Sequence, residues 1–127
     1  MEQSGGTVEE RLIRFAVDIL KHCEALPCTF AGRHIGEQLL RAGTACPANY
    51  AEARGAESRR DFVHKLGVVR KKLNECRVWL RLIDLRQLVS EGSMTELLGE
   101  CEQLCKIISA SQKTAKMNLE REEGGKQ

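Results

Sequence analysis

Aromatic residues are scarce, at 4% of the chain. A core must therefore be assembled from Leu, Ile, Val, Ala and Cys. Proline occurs only twice, at Pro27 and Pro47, and β-branched residues rarely cluster. Both shortages favour helix over sheet. No apolar run approaches the ~20 residues that a membrane-spanning helix needs. The opening MEQSGGTVEE has no apolar segment of the kind that marks a signal peptide. These absences predict a soluble, cytoplasmic protein with no membrane association. Chemistry-bearing motifs are missing too. There is no Gly-rich phosphate loop and no H-E-x-x-H, and no Asp or Glu sits beside a His or a nucleophile at a supporting spacing. We expect no enzyme, no catalytic residue and no cofactor. The 127 residues suit one domain over 1–127, with flexible tails at 1–6 and 120–127.

Cysteine, by contrast, is plentiful, with six residues. None forms a C-x-x-C pair. Cys23, Cys76, Cys101 and Cys105 fall on apolar helical faces, where a free thiol behaves as a small hydrophobe. Cys101 and Cys105 lie four apart and could offer two metal ligands, but no His is near them in sequence. Reduced, structural cysteines and no metal site are the expectation.

Hydrophobic spacing divides the chain into four helices. The first runs from Thr7 to about Ala25, with Thr7 and Glu10 as a capping box. Leu12, Ala16, Ile19, Cys23 and Leu26 form its apolar stripe, widened by Ile13, Val17 and Leu20, and Pro27 stops it. The second starts near Phe30 and buries Ile35, Leu39 and Ala42. Pro47 should bend rather than end it. The small residues Gly43, Ala45, Ala48 and Ala51 would let a neighbouring helix approach. Ser58 caps the third helix, helped by Asp61 near the positive end of the dipole. Phe62, Leu66, Val69, Leu73, Cys76, Leu80 and Ile83 then hold an unbroken heptad seam to about Leu88 or Val89. Ser93 and Glu96 match S-x-x-E at the start of the fourth helix. Leu97, Cys101, Leu104, Ile108 and Ser111 carry its period toward Leu119. Short connections make this an all-α, antiparallel up-down-up-down four-helix bundle.

Charge is almost balanced overall, at +2, yet unevenly placed. From Arg54 to Arg86 there are ten Lys and Arg against four Asp and Glu; the rest of the chain carries ten against fourteen. At ~100° per residue, Arg59, Arg70, Arg77 and Arg81 fall in one stripe beside the seam. Arg60 and Lys71 lie near them. Two readings stay open: a solvated or subunit-facing edge, or a phosphate-binding stripe for RNA or DNA. No interleaved aromatics support base stacking. Trp79, flanked by Lys65 and Lys72, reads as a packing residue. Arg41, Asn49, Glu52 and Glu75 read as a structural polar network, in which carboxylates near apolar faces take Arg partners.

The run LLRAGTACPANYAEA resembles a motif of the bacterial four-helix bundle family also called the 23S rRNA-intervening sequence proteins. The matching residues are Arg41, Ala42, Pro47, Ala48, Asn49, Ala51 and Glu52. The likeness continues through Ser58, Phe62, Leu66, Leu73 and Glu75, and spans roughly Phe15 to Ala115. Ala53 stands where the family usually has Gly, and Lys71 and Lys72 replace a frequent small pair, which makes this helix more basic than the pattern. The resemblance implies a homopentamer of antiparallel bundles, often a ring with a central channel, without established enzyme activity. It also implies kinship with the accessory variability proteins of diversity-generating retroelements, which bind nucleic acid and a reverse transcriptase. The expected function is thus a homo-oligomeric bundle contacting nucleic acid or a nucleic-acid enzyme through Arg59, Arg60, Arg70, Lys71, Arg77 and Arg81. The alternative is a purely structural oligomer or protein-interaction module.

Overall fold

Four helices and no strands make up the described residues, 6–125, of the computed structural model. They are α1 (Val8–Glu24), α2 (Phe30–Arg54), α3 (Arg59–Arg86) and α4 (Thr95–Gly124). Hydroxyl caps fix three of the four starts. Thr7 accepts from the Glu10 N–H at 3.1 Å, Thr29 from Gly32 at 3.0 Å and Ser58 from Asp61 at 3.0 Å. Each satisfies one of the amides that a helix start leaves without an internal partner. The fourth start departs from the S-x-x-E expectation. Met94 occupies the cap position, offers no side-chain bond, and is fully buried. There, burial of a thioether holds the helix entry and Ser93 does not cap it.

The ends also moved. α3 stops at Arg86, two or three residues early, because Gln87 takes a left-handed conformation (φ 57°). The Gln87 N–H then donates to Asp84 O and the Leu88 N–H to Ile83 O. This is the Schellman arrangement, which satisfies the last carbonyls and folds the following residue onto the helix end. Leu88 and Val89 accordingly pack against the core. α4 continues to Gly124, past the expected end at Leu119, and its last turns carry Glu122 and Glu123 beside Arg59 and Arg60. Residues 1–5 and 126–127, part of the expected tails, lie outside the described residues.

α2 packs on both α1 and α3, α3 packs on α4, and α4 touches α1. The contacts pair early residues of one helix with late residues of the next. Glu9 meets Arg54, Val63 meets Gln112, Leu73 meets Cys101, and Arg59 meets Glu122. Arg11 closes the α1–α4 side with two bonds to Glu100, at 3.1 and 2.6 Å. The core draws on all four helices: Leu12, Phe15 and Ile19; Leu39, Ala42 and Cys46; Val69, Leu73, Cys76, Leu80 and Ile83; Cys101, Leu104 and Ile108. Each fully buried large aliphatic contributes ~1.5–3 kcal/mol relative to exposure.

The seam of α3 is buried from Leu66 to Ile83, but at its start Val63 is buried while Phe62 is half-exposed. In α4, Gln112 and not Ser111 continues the inward face. On α1 the widened stripe does not enter the core: Ile13, Val17 and Leu20 are 45%, 41% and 40% exposed. α2 is one continuous helix through Pro47. Of its small residues, Gly43 makes the close approach. A Cβ there would lie 2.6 Å from Ile19 Cδ1 and 3.0 Å from its Cγ2. Ala48 and Ala51 face solvent.

Candidate nucleic-acid interface

α3 presents its basic residues in two rows. On a regular helix Arg59, Arg70, Arg77 and Arg81 fall within about 40° of arc, and Arg60 and Lys71 lie about 100° further round. From Arg60 to Arg81 this ridge is about 30 Å long at 1.5 Å per residue. α4 lies along one side of it, and shallow grooves run between the two helices. One, beside Arg59 and Phe62, is lined by Ala110, Ser111, Thr114, Ala115 and Asn118 and has a single cation. Two others, called here the first and second grooves, gather most of the basic residues.

The first groove, about 350 Å³, is lined by Arg60, His64, Arg70, Lys71 and Lys116, with Val63, Gly67, Val68, Gln112 and Leu119. Its lining includes four cations and no carboxylate. The sequence reading named Arg60, Arg70 and Lys71 for this role; it missed Lys116, His64, Gly67 and Gln112. Gln112 organises the site. Its side chain is 8% exposed, accepts from Arg70 Nε at 3.1 Å, and donates to the Val63 carbonyl at 3.2 Å. It fits because Gly67 has no side chain; a Cβ there would sit 2.7 Å from Gln112 Nε2. A glutamine on an apolar helical period, opposite a glycine in an otherwise unbroken seam, was the available signal.

The second groove, about 320 Å³, contains Asn74, Arg77, Glu102, Cys105 and Lys106. Arg81 is exposed and lines neither groove. At the other end, Arg59 pairs with Glu122 at 2.6 Å, and Arg60 pairs with Glu123. Their side chains remain 50% and 71% exposed. Exposed pairs of this kind are worth about 0–1 kcal/mol and are screened by salt, so an incoming phosphate competes for these guanidiniums at little cost.

Arg41, Asn49, Glu52 and Glu75 do not converge. Arg41 is exposed on α2, and Asn49 Nδ2 donates to Ala45 O of its own helix at 2.8 Å. Glu52 pairs with Lys65 at 3.8 Å and Glu75 with Lys72 at 3.5 Å, both at the surface. The long side chains find lysines one turn or one helix away and never enter the core. Trp79 packs against the core and meets His34 edge-on, with ring centroids 6.2 Å apart. All six cysteines are free, Cys46 among the buried ones. Among the described residues, no three His, Cys, Asp or Glu side chains come together as a metal set.

A family model for the 23S rRNA-intervening sequence protein matches residues 7–110. The chain belongs to that family. The match spans all of α1, α2 and α3 and half of α4, so it includes both grooves except Gln112, Lys116 and Leu119. A solved structure is similar in fold: a protein of unknown function from the S23 ribosomal protein family of Bacteroides thetaiotaomicron. It is 27% identical, with a TM-score of 0.77, and the alignment covers 84% of this chain and 99% of that one. No curated protein matches this family member. No helix among its described residues is long and apolar enough to cross a membrane.

Proposed function

We propose that this protein is a non-enzymatic, homo-oligomeric bundle that grips the sugar–phosphate backbone of RNA or DNA along the α3–α4 face. The observation that carries the reading is the first groove, where Arg70, Lys71 and Lys116 converge with no carboxylate in the lining. Arg77 and Lys106 extend it, and Arg81 prolongs the ridge. Backbone contacts of this type position a polyanion without reading its sequence. A nucleic-acid enzyme is the partner the reading fits, and the family resemblance suggests a retroelement reverse transcriptase.

The helix pairings support an antiparallel up-down-up-down arrangement, bent at Pro47, whose ring offers no N–H to the Gly43 carbonyl. Two apolar stripes outside the core support self-association: Ile13, Val17 and Leu20 on α1, and Val78, Leu82 and Leu85 on α3. They lie on different helices. A contact between unlike patches gives a ring where the rotation between copies closes, and the family resemblance implies five subunits. Native mass spectrometry should then give five times the 14.2 kDa chain.

The test of nucleic-acid contact is fluorescence anisotropy with 20-nucleotide RNA and DNA across a salt series. Each phosphate contact contributes about −0.7 to −0.9 to the slope of log K against log salt. Replacing Arg70, Arg77 and Arg81 together with Ala should flatten the slope by about 2 and weaken binding equally for all sequences. An unchanged slope refutes the reading. Loss of the oligomer with unchanged binding would favour the purely structural alternative, to which the Arg59–Glu122 and Arg60–Glu123 pairs lend support.

A further inference from the structure

The scattered aromatics of the sequence come together on one face of the fold, between α2 and α3. Phe30 opens α2 and is 87% exposed. Local structure does not call for a phenyl ring in water there. Thr29 makes the cap, and Leu39, Ala42 and Cys46 supply the helix's part of the core. His34, also exposed, follows one turn later on the same side. α3 sets the half-buried Trp79 against it, with ring centroids 6.2 Å apart and the planes at 84°. Cations bracket the rings. Arg41 stands seven residues after His34, Lys72 seven before Trp79 and Arg86 seven after it. Seven residues make nearly two whole turns, so each cation shares the strip of its ring. Arg41 and Arg86 are exposed and make no ion pair among the described residues. Lys72 pairs with Glu75, the carboxylate of this strip, at 3.5 Å; the pair is exposed and screened by salt. Glu37, three residues after His34, lines the groove toward α1 instead.

We infer that this α2–α3 face is a stacking platform for the bases of an unpaired nucleic-acid strand. Phe30 is the main contact, His34 and Trp79 lie beside it, and Arg41, Lys72 and Arg86 meet the flanking phosphates. Three cations against one carboxylate match a polyanion, and rings between cations match bases strung between phosphates. Stacking tolerates any sequence, because every base has a π-face. It does select against a duplex, whose base faces are covered by their neighbours. From Phe30 to Arg41 the platform is about 16 Å long at 1.5 Å per residue. It is separate from the surfaces already described. Trp79 lies about 160–180° round α3 from Arg70, Arg77 and Arg81, and about 60–120° from Val78, Leu82 and Leu85. The inference rests on the backbone-binding reading for the class of partner and adds to it that the strand is single and that its bases are touched.

The test compares two 20-nucleotide probes of equal charge on the full chain: oligothymidylate, and an abasic strand with the same phosphates and no bases. Anisotropy should show oligothymidylate binding at least about fivefold tighter, since one stacked base is worth about that much or more. Trp79 is the chain's one tryptophan, so its emission reports this face alone; oligothymidylate should quench it and the abasic strand should not. Phe30→Ala should close the gap between the probes and leave abasic binding unchanged, and Phe30→Tyr should restore the gap. The ring is in solvent, so neither change threatens the fold, and circular dichroism confirms it. Equal affinity for the two probes, unmoved Trp79 emission, or a gap indifferent to Phe30→Ala overturns the platform. So does a Phe30→Ala protein that loses its oligomer and keeps the gap, which would assign the face to a second copy. Abasic binding with no gap sinks the platform alone. A Phe30-dependent gap with a salt slope untouched by the triple arginine change sinks the ridge alone, and no binding of either probe sinks both.

Discussion

Replacing Gly43 with alanine sets two opposing effects against each other. In a solvent-exposed helix interior, Gly→Ala stabilises by about 0.8–1.0 kcal/mol, since alanine loses less backbone freedom on folding. Here the new methyl would lie 2.6 Å from Ile19 Cδ1, 3.0 Å from Cγ2 and 3.4 Å from Cβ. Turning the end of the isoleucine moves only Cδ1; the other two carbons are fixed relative to the α1 backbone. Ile19 is fully buried, so no free space receives it. Overpacking of this kind costs about 1–3 kcal/mol, and the clash outweighs the gain in propensity. We expect Gly43→Ala to destabilise by about 1 kcal/mol net. Ile19→Val deletes Cδ1 and should cost about 0.5–1.5 kcal/mol alone. In the double variant the methyls fit better, so the two costs should fall short of additivity by about 1 kcal/mol. Urea unfolding followed at 222 nm, at one fixed protein concentration, measures all four states of the cycle; the fixed concentration matters because self-association shifts apparent stability. A Gly43→Ala protein that is more stable than the parent, with no coupling to Ile19→Val, would refute the claim that α1 and α2 meet at this glycine.

Two further changes probe single contacts. Ser58→Ala removes the cap that the Asp61 N–H uses and should cost about 1 kcal/mol in the same urea assay; Ser58→Asp, which restores an acceptor, should recover most of it. Gln112→Ala removes the second bond to the Val63 carbonyl, which keeps its helical partner within α3, and releases Arg70. It should cost about 0.5–1.5 kcal/mol and should weaken nucleic-acid binding beyond what the stability loss explains, which anisotropy at temperatures well below unfolding would show.

Helix number and type were legible from periodicity, since a 3.6-residue apolar repeat has one stable solution in a chain with this few prolines and aromatics. The caps at Thr7 and Ser58 were legible because a hydroxyl before an apolar period reports local hydrogen bonding. The fourth start was not: Ser93 satisfies the same local pattern, but burying Met94 in the core outweighs a cap bond. The left-handed Gln87 was hidden for a related reason. Nothing about a glutamine announces positive φ, and the packing of Leu88 and Val89 selects it. The candidate site was half visible. Charge counting located the arginines on α3, yet not the partners that α4 brings to them.

The sequence by itself determined which segments are helical, which face of each is apolar and which helix is cationic, because these depend on neighbours within one or two turns. Tertiary structure decided which charges are tied together and which residues stay outside the core. Glu122 and Glu123 reach Arg59 and Arg60 from more than 60 residues away, Gln112 settles against Gly67 to hold Arg70, and Ile13, Val17 and Leu20 remain outside. Such pairings depend on the rotation of each helix about its own axis. That rotation is fixed by the whole core at once, through close packing in which Ile19 must meet a glycine and not a methyl.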